Sequence, residues 1–278
     1  MNQFGGNWTQ QKIEIVFDYA KAYLIIMNSY PQFKCLYFDG FAGSGDIYKD
    51  NKTDLESIKG AAIRILEIDI PKSFDIYYFV ELDENNKNDL EKSIGERFSN
   101  KKTYVVCDDC NKKLKGLSEY LKKNSTVRTL AFIDPFGMAL EWSSVEVLKG
   151  LGVDLWILVP TGIGVNRLLK RDGEISDAWL LKLETTLGLT RQEIKNYFYK
   201  SKTINTLFGQ ETELKKEEDA IEKAGELYKE RLSTVFKYVS KPLKLNNTTG
   251  STMYHFMMAT NNTAALKIAN DVIKKHKN

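Results

Sequence analysis

The sequence predicts an α/β fold built on a mostly parallel sheet, and three observations carry the prediction. Short apolar runs of the kind that suit strands buried on both faces recur between Cys35 and Val159. Stretches with helical spacing separate them, giving the strand–helix alternation of right-handed crossovers. The tips of successive runs carry acids or glycines, which is where open α/β sheets hold their ligands.

The elements follow in order. Gln10 to Asn28 places Ile13, Val16, Phe17, Ala20, Leu24 and Met27 at helical spacing, and Pro31 stops the helix. Thr9 can cap it and Trp8 can pack against it. Strands are predicted at Cys35–Asp39, Ile76–Leu82, Tyr104–Cys107, Leu130–Asp134 and Val153–Val159. Helices are predicted around Ala61–Ile68, Asn86–Phe98, Leu114–Lys123 and Ser143–Lys149. The alternation then breaks. From Asn166 to Arg231 the chain is polar and mostly helical in pattern, ELKKEEDAIEKAGELYKER being the clearest piece. That length exceeds a crossover, so 166–231 is read as a helical insertion or lid within a single domain spanning 1–278. Thr234–Leu245 and Thr252–Ala259 read as strands joined through Asn246-Asn247-Thr248-Thr249-Gly250, an antiparallel hairpin at the sheet edge. Ala264–Lys275 is a final helix.

Composition narrows the class. The 278 residues suffice for a large core, and a net charge of +3 does not by itself call for a nucleic-acid partner. The clusters Lys112, Lys113, Lys115 and Lys122, Lys123, Arg128 read first as solvated helix faces, with phosphate contact as the alternative. No apolar run approaches the roughly 20 residues needed to span a bilayer, and MNQFGGNWTQQK lacks a leader's apolar core, so no membrane association is expected. Three cysteines fit a reducing, cytoplasmic setting. Cys107 and Cys110 form a CxxC, but Cys35, His255 and His276 supply no second ligand pair, so no metal site is expected. His255, in a buried strand, reads as a core histidine.

The chemistry lies at the strand tips. The first strand ends in YFDGFAGSGD, where Gly40, Gly43 and Gly45 let the chain turn sharply and let a ligand approach the backbone. The spacing is not G-x-G-x-x-G, and no P-loop lysine follows. Asp39, immediately before the turn, would repel a pyrophosphate and suits a cationic ligand, an amino group or a sulfonium. This favours S-adenosylmethionine over a dinucleotide. Glu81, at the tip of YYFVELDENN, can accept both ribose hydroxyls. Asp108 or Asp109, in VVCDDCN, can accept from an adenine amino group.

LAFIDPFGMALEW carries the fourth tip, Asp134-Pro135-Phe136-Gly137. Methylating a base amine requires its nitrogen lone pair to be freed from the ring. The Asp134 side chain and the Pro135 carbonyl can accept the amine hydrogens, and Phe136 can stack on the flipped base. The competing reading makes Asp134 a helix cap and Phe136 core. Further on, Pro160 in VPTG and then Arg167 and Arg171 are candidate substrate contacts.

FDGFAGSG, FVELD and FIDPFG, in this order, resemble class I methyltransferase motifs. From NWTQQK to YHFMMATNN the chain resembles the three-Cys-motif partner proteins (TcmP), a family encoded beside a radical-enzyme-like three-cysteine protein. The resemblance implies a Rossmann-like sheet. It implies cofactor contacts at Asp39, Phe41, Gly43, Gly45 and Glu81, with Asp108 reaching the adenine and Asp134 to Gly137 lining the target pocket; Gly40, Ala42 and Leu82, adjoining them in the chain, are further candidate cofactor contacts. Asp-Pro-Phe-Gly is also similar to the tetrapeptide of the tRNA guanine-N2 methyltransferases and departs from the Pro-Pro form of most adenine and cytosine amino-methyltransferases. The leading expectation is an S-adenosylmethionine-dependent methyltransferase acting on a base amine of RNA or DNA. The alternatives are a non-catalytic cofactor-binding partner subunit and a methyltransferase of small molecules or proteins.

Overall fold

The computed structural model describes residues 7–48, 57–206 and 209–277. Helix α1 (Asn7–Met27) leads into strand β1 (Lys34–Asp39), and a short antiparallel ribbon, Asp46–Tyr48 with Ser57–Lys59, precedes α2 (Ala61–Leu66). Then come β2 (Ile76–Glu81), α3 (Glu84–Arg97), β3 (Thr103–Cys107), α4 (Cys110–Lys123), β4 (Val127–Ile133), α5 (Trp142–Glu146) and β5 (Val153–Val159). A π-turn over Thr161–Val165 follows, with α6 (Asp177–Leu187), α7 (Arg191–Phe198), a ribbon of Tyr199–Thr206 with Gly209–Lys216, and α8 (Ala220–Ser233). The chain closes with β6 (Tyr238–Val239), β7 (Leu243–Asn246), β8 (Thr252–Thr260) and α9 (Thr263–Lys275).

The main sheet runs β6-β8-β5-β4-β1-β2-β3, with β7 also paired to β8. Strands β1 to β5 are mutually parallel, and β8 is antiparallel to β5. This is the mostly parallel sheet that the alternation predicts, with a Rossmann-like strand order and antiparallel strands at one side. Strand order reverses between β1 and β4, so the ends of these two strands diverge and leave a crevice.

The continuous apolar runs arise because both sheet faces are covered. Leu36 and Phe38 pack into one core with Ala131, Ile133, Leu155, Ile157, α4, α5 and α8. Tyr37, between them, faces the other core with Leu130, Phe132, Trp156, α1, α2 and α9. A strand alternating between two cores needs apolar residues at every position. One buried acid is built in near the opposite end of β5, where Asp154 accepts from the Tyr19 and Thr260 hydroxyls at 2.7 and 2.5 Å.

Four local expectations are corrected. Thr9 lies inside α1, buried, and is not its cap. Glu213–Lys216, read as helix, is strand: Glu213 and Lys215 are exposed while Leu214 and Lys216 are half-buried, a period of two. The helix begins only at Ala220. The run Thr234–Leu245 splits into β6 and β7 on either side of Pro242, which has no N–H to donate to a ladder. The helix expected over Ser143–Lys149 is the single short turn of α5.

Candidate active site

The turn after β1 is stitched to the neighbouring strand ends by its own amides. The Gly40 N–H donates to the Phe132 carbonyl at 3.0 Å, and the Ala42 N–H donates to the Val80 carbonyl at 2.9 Å. The Gly43 N–H donates to Glu81 Oε2 at 2.8 Å. Glu81 Oε1 accepts from the Asp83 N–H at 2.9 Å, so both carboxylate oxygens are held over the tip of β2. Each carboxylate oxygen has a second lone-pair direction that suits a hydroxyl donor.

Two glycines are demanded by this geometry. A Cβ on Gly40 would sit 2.5 Å from Cys110 Sγ and 2.6 Å from Ile133 Cδ1, so α4 could not approach the turn. Gly43 has φ +63, and a Cβ there would meet no heavy atom within 4 Å. Its positive φ favours glycine, and it presents bare backbone to open space.

Asp39 is buried. Its Oδ1 accepts from the Phe41 N–H at 3.2 Å and its Oδ2 from the Tyr37 hydroxyl at 3.3 Å. Burial raises its pKa to about 7, and the charges of Asp134 and Glu81 push the same way against those two hydrogen bonds. Three carboxylates therefore converge on the crevice, and among the described residues no cation pairs with Asp39. Such a cluster is relieved by a bound cation and worsened by an anion. Leu82 projects beside it, 71% exposed, an apolar surface at a strand tip.

The next two acids are otherwise engaged. Asp108 pairs with Lys113 at 2.9 Å and Lys112 at 3.1 Å, and these contacts, Lys113 first, lower its pKa to about 2. Asp109 is the N-cap of α4, accepting from the Lys112 N–H at 3.1 Å. Cys110 is buried, with its thiol pKa pushed well up by that burial, whereas Cys107 is exposed.

Asp39 pairs in register with Phe132, two residues before Asp134, so the two acids flank the switch point. The Asp134 carboxylate accepts a hydrogen bond from the Lys12 ammonium, which arrives from α1. Lys12 is itself buried and lies 4.9 Å from the centre of the Trp8 ring, and Trp8 packs at 4.9 Å on Tyr254 of β8. The Tyr254 hydroxyl is pushed up to about 12 by burial and then by the charge of Asp134.

In the tetrapeptide, Pro135 is buried, Phe136 is 83% exposed and Gly137 has φ +59. Asp134 makes no helix cap, since the position before α5 is Glu141. Phe136 is not core. Pro160, Thr186 and Tyr228 line the recess beneath Pro135 and Gly137. Thr186 Oγ1 donates to the Met138 carbonyl at 3.5 Å. Arg167 and Arg171 are exposed beyond the π-turn. His255 is buried, its Nδ1 2.7 Å from Thr161 Oγ1, and its pKa falls to about 4, through burial first and then Lys244.

Sequence reasoning left Lys12 without a role. The available signal was a lysine four residues after Trp8 and next to Ile13 on a strongly apolar helix; its partner lies too far along the chain to be read. Tyr37 was also passed over, although strand alternation places its side chain on the same face as Asp39.

No family model matches the chain, and the search of curated proteins gives no match. Among solved structures, the chain is similar to a Legionella pneumophila str. Philadelphia 1 protein of family DUF519, with 14% identity and a TM-score of 0.50 over 98% of this chain and 94% of that one. That likeness shows a shared fold and nothing further. Trm1 from Pyrococcus horikoshii, in complex with S-adenosyl-L-methionine, aligns over 93% of this chain and 64% of its own at 12% identity and a TM-score of 0.36, too low to carry an argument.

Proposed function

We propose that the chain is an S-adenosylmethionine-dependent methyltransferase that N-methylates an exocyclic amine of a nucleic-acid base. One observation carries the reading: the buried Asp39, in a carboxylate cluster that favours a cation, lies across the switch point from Asp134, which is followed by a solvent-facing Phe136. The residues fit the cofactor. Asp39 suits its cationic end, Glu81 its ribose hydroxyls and Leu82 a face of its adenine. Gly40, Phe41, Ala42, Gly43 and Gly45 form the turn beneath it, with the Gly43 backbone open to it. Asp108 or Asp109 reaches the adenine amine only by sharing a carboxylate already used by Lys113 or the helix cap. When bound, the cofactor supplies an electrophilic methyl group.

Asp134 Oδ2 is taken by Lys12, leaving Oδ1 to accept one hydrogen of the target amine. The Pro135 carbonyl accepts the other, and the Phe136 ring stacks on the base. Gly137, in the left-handed conformation, turns the chain away so that the ring stands clear. Thr186 and Tyr228 from segment 166–231 underlie this loop, so that segment supports the target pocket from below; Pro160, Arg167 and Arg171 are the proposed substrate contacts beside it.

The resemblance to the three-Cys-motif partner proteins adds such a three-cysteine protein as a proposed partner. The test is calorimetric titration with S-adenosylmethionine, followed by transfer of labelled methyl groups to bulk RNA and DNA. Binding and transfer to either polymer support the reading. Binding without transfer to any polymer favours the cofactor-binding partner subunit. No binding at all ends it. Nucleic-acid affinity that falls steeply with salt separates this substrate class from small molecules.

A further inference from the structure

A second cavity lies away from the crevice, on the sheet face between α4 and strands β1, β2 and β3. Its volume is about 520 Å3, within the roughly 300–1,000 Å3 of small-molecule sites. Phe38 and Tyr78 stack at 5.8 Å and 4° along its floor, and Tyr104 packs on Tyr78 at 6.1 Å. Tyr104 and Tyr120 remain 45% and 39% exposed. Two cations stand at its rim: Lys102, 6.0 Å from the Tyr104 ring centre, and Lys113, which reaches out to Asp108. Among the described residues Lys102 has no ion-pair partner.

The wall contains Gly116, in the interior of α4. Glycine is a poor residue for a helix interior, second only to proline. A Cβ there would meet no heavy atom within 4 Å, so neither packing nor backbone conformation asks for glycine. What the missing side chain provides is width to the groove.

We propose that this groove binds a small aromatic anion. The rings give it faces to stack on, and Lys102 gives it a charge partner on a surface otherwise rich in aromatic carbon. The site is separate from the crevice, and the proposal does not rest on the methyl-transfer reading.

The probe is 1-anilinonaphthalene-8-sulfonate, titrated by fluorescence into the folded full chain with and without saturating S-adenosylmethionine. One saturable site is expected, indifferent to S-adenosylmethionine. Gly116→Leu fills the groove and weakens the probe by about tenfold or more while the melting midpoint stays level or rises. Tyr104→Ala, at an exposed ring, gives a comparable loss without altering the helix. Lys102→Glu weakens the sulfonate by about tenfold and leaves the neutral N-phenyl-1-naphthylamine within about twofold. Unchanged affinity in Gly116→Leu and Tyr104→Ala overturns the proposal. So does displacement of the probe by S-adenosylmethionine, or a concentration-dependent dimer that Gly116→Leu dissociates.

Discussion

The Lys12 ammonium, in the first helix, is hydrogen-bonded to the Asp134 carboxylate, 122 residues later, at the tip of β4. The pair couples the start of the chain to the loop that is the candidate target pocket. Lys12 is buried while Asp134 is partly open, so the bond holds one carboxylate oxygen and orients the other toward the crevice. Asp134→Asn should therefore lower methyl transfer by about 10²–10³-fold with S-adenosylmethionine affinity changed by less than about threefold. Lys12→Met should lower transfer as well and destabilise the fold by about 1–3 kcal/mol, because a half-buried carboxylate loses its partner. A double-mutant cycle on transfer rates checks the coupling: additive effects mean that the two residues act separately.

Phe136 offers a cleaner separation of stability from function. With its ring exposed, Phe136→Ala should shift unfolding by no more than about 0.5 kcal/mol. Loss of base stacking should reduce kcat/KM by about 10- to 100-fold, the equivalent of about 1–3 kcal/mol. Phe136→Trp should restore most of it. Denaturant melts and single-substrate kinetics on the three proteins decide, and wild-type kinetics in Phe136→Ala would remove the stacking role.

The buried acid at Asp39 makes both stability and binding depend on pH, in opposite senses. Its folded pKa, about 7, lies above the ordinary 3.8, so its stabilising contribution is complete below that ordinary value and is lost as pH rises through 7. At pH 8, Asp39→Asn should stabilise the free chain by up to roughly 4 kcal/mol, and at pH 4 by almost nothing. A cation needs the ionised form, so S-adenosylmethionine affinity should fall by up to about tenfold per unit as pH drops below 7. Melting curves across pH 4 to 8 and calorimetry across pH 5 to 8 measure both; a flat binding profile argues against Asp39 as the cation's partner.

His255 predicts the reverse slope for folding. Its folded pKa, about 4, lies below the ordinary 6.5 because the ring is buried against Thr161 and helix α8. The contribution is fully present above 6.5 and is lost as pH falls through 4, at most about 3 kcal/mol in total. In an Asp39→Asn background, where the opposite slope of that acid is removed, urea midpoints should drop between pH 7 and 5, and adding His255→Gln should flatten that drop. Gly225→Ala should destabilise at every pH, since a Cβ there would lie 2.8 Å from the His255 ring.

Much of the fold could be read without coordinates. Strands β1 to β5 are legible because each is buried on both faces, which forces an unbroken apolar run bounded by polar tips. The ribbon Tyr199–Thr206 with Gly209–Lys216 was not legible, since its lysines and glutamates imitate a solvated helix, and the period of two emerges only in the exposure of Glu213 to Lys216. The break at Pro242 was visible in the letters, but two strands sharing β8 as partner were not.

The order of the apolar runs and the acids closing them were determined by the sequence alone, because burial and turn chemistry act between near neighbours. That placed Asp39, Glu81 and Asp134 at the carboxyl ends of neighbouring strands. Tertiary structure decided what each of those acids touches. Lys12 meeting Asp134, Glu81 holding the Gly43 amide and Asp108 being drawn to Lys113 all depend on how separate elements pack. Electrostatic partners and desolvation follow distance in space, and distance along the chain does not encode them.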